Sequence, residues 1–162
     1  MPSARPAVLL LAVALTAACS SSSDGGAADV SAPRPSAGAK AYCEALAKRL
    51  PRTVGDGLKS RETSPASVYT AAWGDPAVTL RCGVPRPDVL TPGTEHYNPT
   101  ADAAQVDGVD WLLEDTDEGY RFTTVGRAAF VEVAVPERYA PEIGMVAGGI
   151  SAGVKSAVPA ES

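Results

Sequence analysis

"WGDPAVTLRCGVPRP", Trp73 to Pro87, is the stretch on which the reading of the fold turns. It holds one of the two tryptophans and one of the three cysteines. Asp75-Pro76 is a turn signal. Beyond it, Val78, Leu80 and Cys82 share one face, while Ala77, Thr79 and Arg81 share the other, the alternation of a half-buried strand. "ASVYTAAWG", Ala66 to Gly74, reads as the strand before the turn, so the two predict a hairpin. Prolines 85, 87 and 92 lack backbone donors and cannot continue an inner strand. The strand is therefore expected to stop near Gly83, where the chain leaves the sheet.

The other cysteines fix the context of Cys82. Arg5 precedes an apolar run, "AVLLLAVAL", from Ala7 to Leu15. The run is too short to span a bilayer, which takes ~20 residues, but has the length of a signal-peptide core. "TAAC" follows and resembles a lipobox, although Thr16 stands where leucine is usual. This predicts a lipoprotein signal over residues 1–19, with Cys19 acylated and membrane lipid as the partner that holds it. An ordinary secretory signal is the alternative. Ser20 to Gly38 is rich in Ser, Gly, Ala and Pro, and reads as a disordered tether spanning ~25 Å. The expected location is the outer face of the cytoplasmic membrane, or outside the cell if no lipid is attached.

Export puts Cys43 and Cys82 in an oxidising compartment. "AKAYCEALAKRL", Ala39 to Leu50, sets Tyr42, Cys43, Leu46 and Leu50 on one helical stripe, and Pro51 ends it. Cys43 and Cys82 both point into the core, which predicts a helix-to-strand disulfide. A loop of about 40 residues closed in this way is worth ~4 kcal/mol in the chain-entropy model. The rival, a redox or nucleophilic thiol, lacks a C-x-x-C pair and has only one histidine to work with.

Three more strands are expected. Gly108 to Asp115 places Val109, Trp111 and Leu113 together; "YRFTTVG" places Tyr120 with Phe122; "RAAFVEVAVP" places Ala129, Val131, Val133 and Val135 together. Pro141 to Val158 reads as a closing helix, with Ile143, Val146, Ala147, Ile150 and Val154 as its apolar stripe. "GMVAG" and "GISAG" within it are G-x-x-x-G patterns, but the uncharged run is too short to span, so close packing on the sheet is expected. The fold class is α+β: an antiparallel sheet of about five strands with an N-terminal and a C-terminal helix on one face. The domain covers residues 39–158, with 159–162 as a tail.

Residues that carry chemistry are few. With a net charge of -5, a nucleic-acid partner is not expected. No metal-ligand spacing, nucleophile elbow, phosphate loop or dinucleotide fingerprint is present, so no cofactor and no catalytic residue is assigned. His96, the one histidine, lies in "TPGTEHYNPTADAAQVDG", Thr91 to Gly108, the longest irregular stretch. The second sheet face is expected to carry Thr79, Arg81, Asp110, Leu112, Glu114, Arg121, Thr123, Phe130 and Glu132. Read as a solvated face, these are cross-strand ion pairs; read functionally, they form a mixed-charge binding platform. By strand phase Arg81 has Asp110, Glu114 or Glu132 to meet and should brace the sheet. Arg86 and Arg127 sit beside turn residues and are freer to meet a partner. The candidate binding face is thus Arg81, Arg86, Arg127, Asp110, Glu132 and His96.

The order "YCEALAKRLP", "AAWGDPAVTLRCGVPRP", "VDWL", "GRAAFVEVAVP" resembles an actinobacterial family, domain of unknown function 3515, from about Tyr42 to Val158. The resemblance implies an exported protein or lipoprotein with a two-cysteine core, and implies no reaction, cofactor or catalytic residue. The functional expectation is a lipid-anchored binding or accessory module of the bacterial cell envelope. A partner envelope protein or cell-wall glycan would use the open face. An exported hydrolase with an unrecognised site and a purely structural envelope protein are the alternatives.

Overall fold

The hairpin around Asp75-Pro76 is present, and it is the middle of a much larger sheet. The computed structural model describes Met1 and residues 26–161. In chain order the strands are β1 (Ala28–Asp29), β2 (Thr53–Val54), β3 (Leu58–Arg61), β4 (Thr63–Ser64), β5 (Thr70–Trp73) and β6 (Val78–Val84). There follow β7 (Ala103–Val106), β8 (Val109–Thr116), β9 (Gly119–Val125) and β10 (Phe130–Pro136). The helices are α1 (Ala37–Ala47) and α2 (Ile143–Ala157), the latter entered through a 3-10 turn, Glu137–Glu142. Eight strands form one antiparallel sheet, in the order β2-β3-β5-β6-β10-β9-β8-β7; β1 and β4 form a separate parallel pair.

The expectation of about five strands is corrected by this count. The two helices are as read; the sheet is not. β2, β3 and β4 are two to four residues long and have no apolar alternation to announce them. β7, "AAQV", lies inside the stretch read as irregular, and its residues are mostly exposed. β2 and β7 are the edges of the large sheet; apart from Val54 in β2, these short strands bury little and are held mainly by their neighbours' ladders.

Both helices pack on one face. Cys43, Leu46, Ile150 and Val154 join Val78, Leu80, Trp111, Val131 and Val133 in a single core. Ser36 caps α1, its hydroxyl accepting from Ala39 N at 3.3 Å. The two buried indoles are both satisfied: Trp73 Nε1 donates to Pro51 O at 2.9 Å, and Trp111 Nε1 to Ser151 Oγ at 3.0 Å. Of the G-x-x-x-G glycines of α2, Gly153 marks a close approach, and it is to α1 and not to the sheet; Gly144 has nothing within 4 Å. A methyl at Gly153 would lie 3.1 Å from Arg49 O and 3.4 Å from Leu46 Cδ1.

Cys43 and Cys82 are bonded, with Cα atoms 5.5 Å apart, and tie α1 to β6. β6 then ends in a bulge. Phe130 pairs with Val84 and Val131 with Cys82, so Gly83 has no partner opposite. Gly83 has φ +85°, and a Cβ there would fall 2.5 Å from Pro35 Cβ. The strand thus stops at Val84, one residue past the expected point, and Pro85 starts the departing loop.

The segment read as a tether is partly built into the fold. Ala28 N donates to Glu62 O and Val30 N to Ser64 O, and Ala28 and Val30 are buried against Ala72. Residues 26–36 are therefore a strap across the second sheet face. Arg61 donates to Gly26 O and to Gly74 O, pinning the strap's start to the hairpin.

Candidate functional site

The second sheet face is neither open nor flat. Its floor is set by register: Leu112 pairs with Thr123, Thr123 with Glu132, Glu132 with Arg81 and Arg81 with Thr70. The next row runs from Glu114 to Arg121, Ala134, Thr79 and Ala72. Leu112, Thr123, Glu132, Arg81, Glu114, Arg121 and Thr79 are among the residues expected on this face, but it is roofed on both sides. The strap covers the β5–β6 end; the loop after β6 lies over the Thr123 end. Leu112 and Thr123 are consequently 1 % exposed.

The loop is shaped by its own polar groups. Thr94 Oγ1 donates to Asp88 O at 2.6 Å and Thr91 O at 2.7 Å, Thr91 Oγ1 donates to Pro87 O, and Asn98 N donates to Val89 O. Between loop and floor lies a cleft of about 300 Å³, lined among others by Val84, Pro85, Val89, His96, Thr123 and Glu132. Towards the hairpin end, a broader depression of about 930 Å³ is bordered by Asp29, Asp75, Thr79, Asp117 and Glu118. Arg121 lines both.

The electrostatics of the cleft centre on Glu132. Its Oε1 takes Arg81 Nη1 at 3.0 Å, and its Oε2 lies 3.8 Å from Arg121 Nε. Arg81 also donates from Nε to Ser31 O at 3.0 Å, so it ties the strap to the floor. Of its three candidate carboxylates, Arg81 meets Glu132, which lies directly opposite across the ladder.

The six residues proposed for the binding face do not all assemble. Arg81, Glu132 and His96 line the cleft. Arg86 is exposed beside it and donates to Leu90 O at 3.1 Å, holding the loop's first turn. Asp110 is exposed farther along β8 and accepts from Gln105 Nε2 at 2.9 Å. Arg127 does not face a partner: it is 9 % exposed, and its guanidinium donates to Val158 O at 3.0 Å and Gly108 O at 2.8 Å. It clamps the end of α2 to the β7–β8 turn. Ala128 N to Pro159 O and Glu161 N to Gly126 O extend the same seam. Arg127→Ala is therefore expected to destabilise by about 2 kcal/mol, the scale of charge-assisted bonds lost from a buried site. Faster amide exchange at residues 158–161 should accompany it. A variant with an unchanged Tm would show that the clamp is redundant.

The sequence puts Arg121, Thr123 and Glu114 on the mixed-charge platform, but the six-residue candidate binding face leaves them out. The signal was there in the register of β8 with β9; what concealed it was the roof, which nothing in the loop's composition announces.

Among the described residues, no group of three or more His, Cys, Asp and Glu is placed to hold a metal ion. The expectation of a membrane-lipid partner through an acylated cysteine is also corrected. The cysteines of the described residues, Cys43 and Cys82, are bonded to each other and leave no thiol there for an acyl chain. Cys19 and the apolar run Ala7 to Leu15 lie outside the described residues. Among the described residues, no helix is long and apolar enough to cross a membrane.

The architecture defines a class: a two-layer α+β domain whose helices cover one sheet face and whose strap and loop narrow the other to a cleft. The chain belongs to the family described as "Protein of unknown function (DUF3515)", whose model it matches over residues 4–162. No curated protein and no solved structure matches it.

Proposed function

We propose that the protein is a non-catalytic binding module of the bacterial cell envelope that works outside the cytoplasm, with the strap-and-loop cleft as its working surface. The observation that carries this reading is the roof. A sheet face that only needed solvation would require no strap, no folded loop and no buried Thr123. Here two chain segments enclose a polar floor, leaving a concavity of a size that small ligands use. The buried disulfide supports an oxidising location. Glu132 is held between two arginines, which gives the floor a fixed arrangement of charge suited to a recognition surface.

The test is site-specific photo-crosslinking in intact cells. A photoreactive residue replaces His96 at the cleft, or Glu44 on the exposed side of α1. Adducts seen by mass at position 96 and not at 44 are the expected result. Equal adducts at both positions, or none at either, would favour a structural envelope protein with no working cleft.

A further inference from the structure

We infer that the cleft between the loop and the β8–β9–β10–β6 floor is a site for a small zwitterion, a free α-amino acid with an apolar side chain. This rests on the cleft being the working surface. Glu132 engages Arg81 through one oxygen and Arg121 through the other. Arg121 is 44 % exposed, lines the cleft, and lies 3.8 Å from Glu132, beyond hydrogen-bond distance, so its guanidinium is left free of hydrogen bonds among the described residues. That planar fork matches a carboxylate. Directly opposite Arg121 across the ladder stands Glu114, which has no ion pair or side-chain hydrogen bond among the described residues. A cross-strand pair of opposite charge sits with Cβ atoms about 5 Å apart and would ordinarily close on itself. Here Arg121 leans towards Glu132, and the pair stays open. One guanidinium and one carboxylate are thus presented side by side.

That arrangement selects by sign. A simple anion meets Arg121 but is repelled by Glu114, Glu132 and Asp88. A simple cation meets Glu114 but is repelled by Arg81 and Arg121. A molecule carrying both an ammonium and a carboxylate a few ångströms apart satisfies both at once, as an α-amino acid does. The walls set its side chain: Val84, Pro85 and Val89 are apolar, and a volume of about 300 Å³ has room for a small aliphatic group.

An independent observation points to an occupant. Thr123 is 1 % exposed and lines the cleft, and its hydroxyl has no hydrogen-bond partner. A buried hydroxyl left unpaired is unfavourable, and natural structures seldom leave one so. A rotation of the Thr123 side chain towards the cleft would let a polar group of the ligand held between Arg121 and Glu114 complete it.

The experiment is a titration of the full chain with L-valine, followed by amide chemical shifts and calorimetry. Saturable binding is expected, with shifts centred on residues 114, 121 and 123. N-acetylvaline, which lacks the ammonium, and valine methyl ester, which lacks the carboxylate, should each bind at least about tenfold more weakly, a difference of ~1.4 kcal/mol. Glu114→Gln should erase the penalty for N-acetylvaline, and Arg121→Gln that for the methyl ester. Thr123→Val removes only the orphaned hydroxyl, so it should weaken valine binding about tenfold without lowering Tm. No saturable binding of valine, equal binding of the blocked forms, or shifts centred elsewhere would overturn the assignment. If position 96 still captures adducts while valine fails, the cleft remains the working surface and the ligand class is wrong. If both fail, both readings fall.

Discussion

The Cys43→Ala/Cys82→Ala double variant is expected to lose about 4 kcal/mol of stability and roughly 10–20 °C of Tm. The two cysteines lie 39 residues apart, and closing a loop of that length removes a large part of the unfolded chain's freedom. The local setting gives little to compensate. α1 is eleven residues long, near the length at which an isolated helix is marginal, and it buries only Ala39, Cys43 and Leu46. Its other support is the close approach of α2 at Gly153. β6 lies at the centre of the sheet, and Cys82 is the residue after Arg81, so the same bond fixes the strand that carries the cleft's floor. Urea unfolding of the oxidised protein and the double variant measures the difference. In the native protein, thiol labelling should leave both cysteines unmodified. A loss below ~1 kcal/mol would mean that packing alone holds α1, and that the bond is a consequence of the fold and not a cause of it.

What could be read from the chain divides along one physical line. Elements that bury their own apolar periodicity were legible: the α1 stripe, the Val78-Leu80-Cys82 face, Val131-Val133-Val135 and the closing helix. Each has neighbours in the core, and its phase follows from its spacing alone. Elements that depend on another segment were not. β1 is two residues in a stretch of Ser, Gly, Ala and Pro; nothing local predicts that Ala28 and Val30 are buried against Ala72. In "VDWLLED" the alternation put Leu113 inside and Leu112 out. The phase is right, since Leu113 pairs with Phe122 on the helix side. The burial is reversed: Leu113 is 36 % exposed and Leu112 1 %. Alternation reports which way a side chain points, and not whether something covers it. The site was half legible for the same reason. Arg81, Glu132 and His96 come together, yet Arg127, read as free because it sits beside a turn residue, is claimed by the carbonyls of Val158, at the end of α2, and Gly108, in the β7–β8 turn.

Trp111→Ala is expected to cost about 3–5 kcal/mol, enough to unfold a domain of ordinary stability at moderate temperature. Trp111 is fully buried on β8 and lies in the core beneath α2. Truncation there leaves a void under a helix that cannot readily sink further, because Gly153 already brings its backbone against the end of α1. Volume and hydrogen bonding can be separated. The indole Nε1 donates to Ser151 Oγ, which in turn donates to Ala147 O at 2.7 Å. Ser151→Ala keeps the ring but orphans its buried N–H, and should cost about 1–3 kcal/mol. Trp111→Phe removes the donor together with part of the ring, and should fall between Ser151→Ala and Trp111→Ala. Thermal melts of the three variants give the order. If Ser151→Ala proved as damaging as Trp111→Ala, the polar link from β8 to α2 would dominate over the volume the indole fills. The expected order, with alanine at 111 worst, follows from a helix pinned at Gly153 on one side and unable to close the gap on the other.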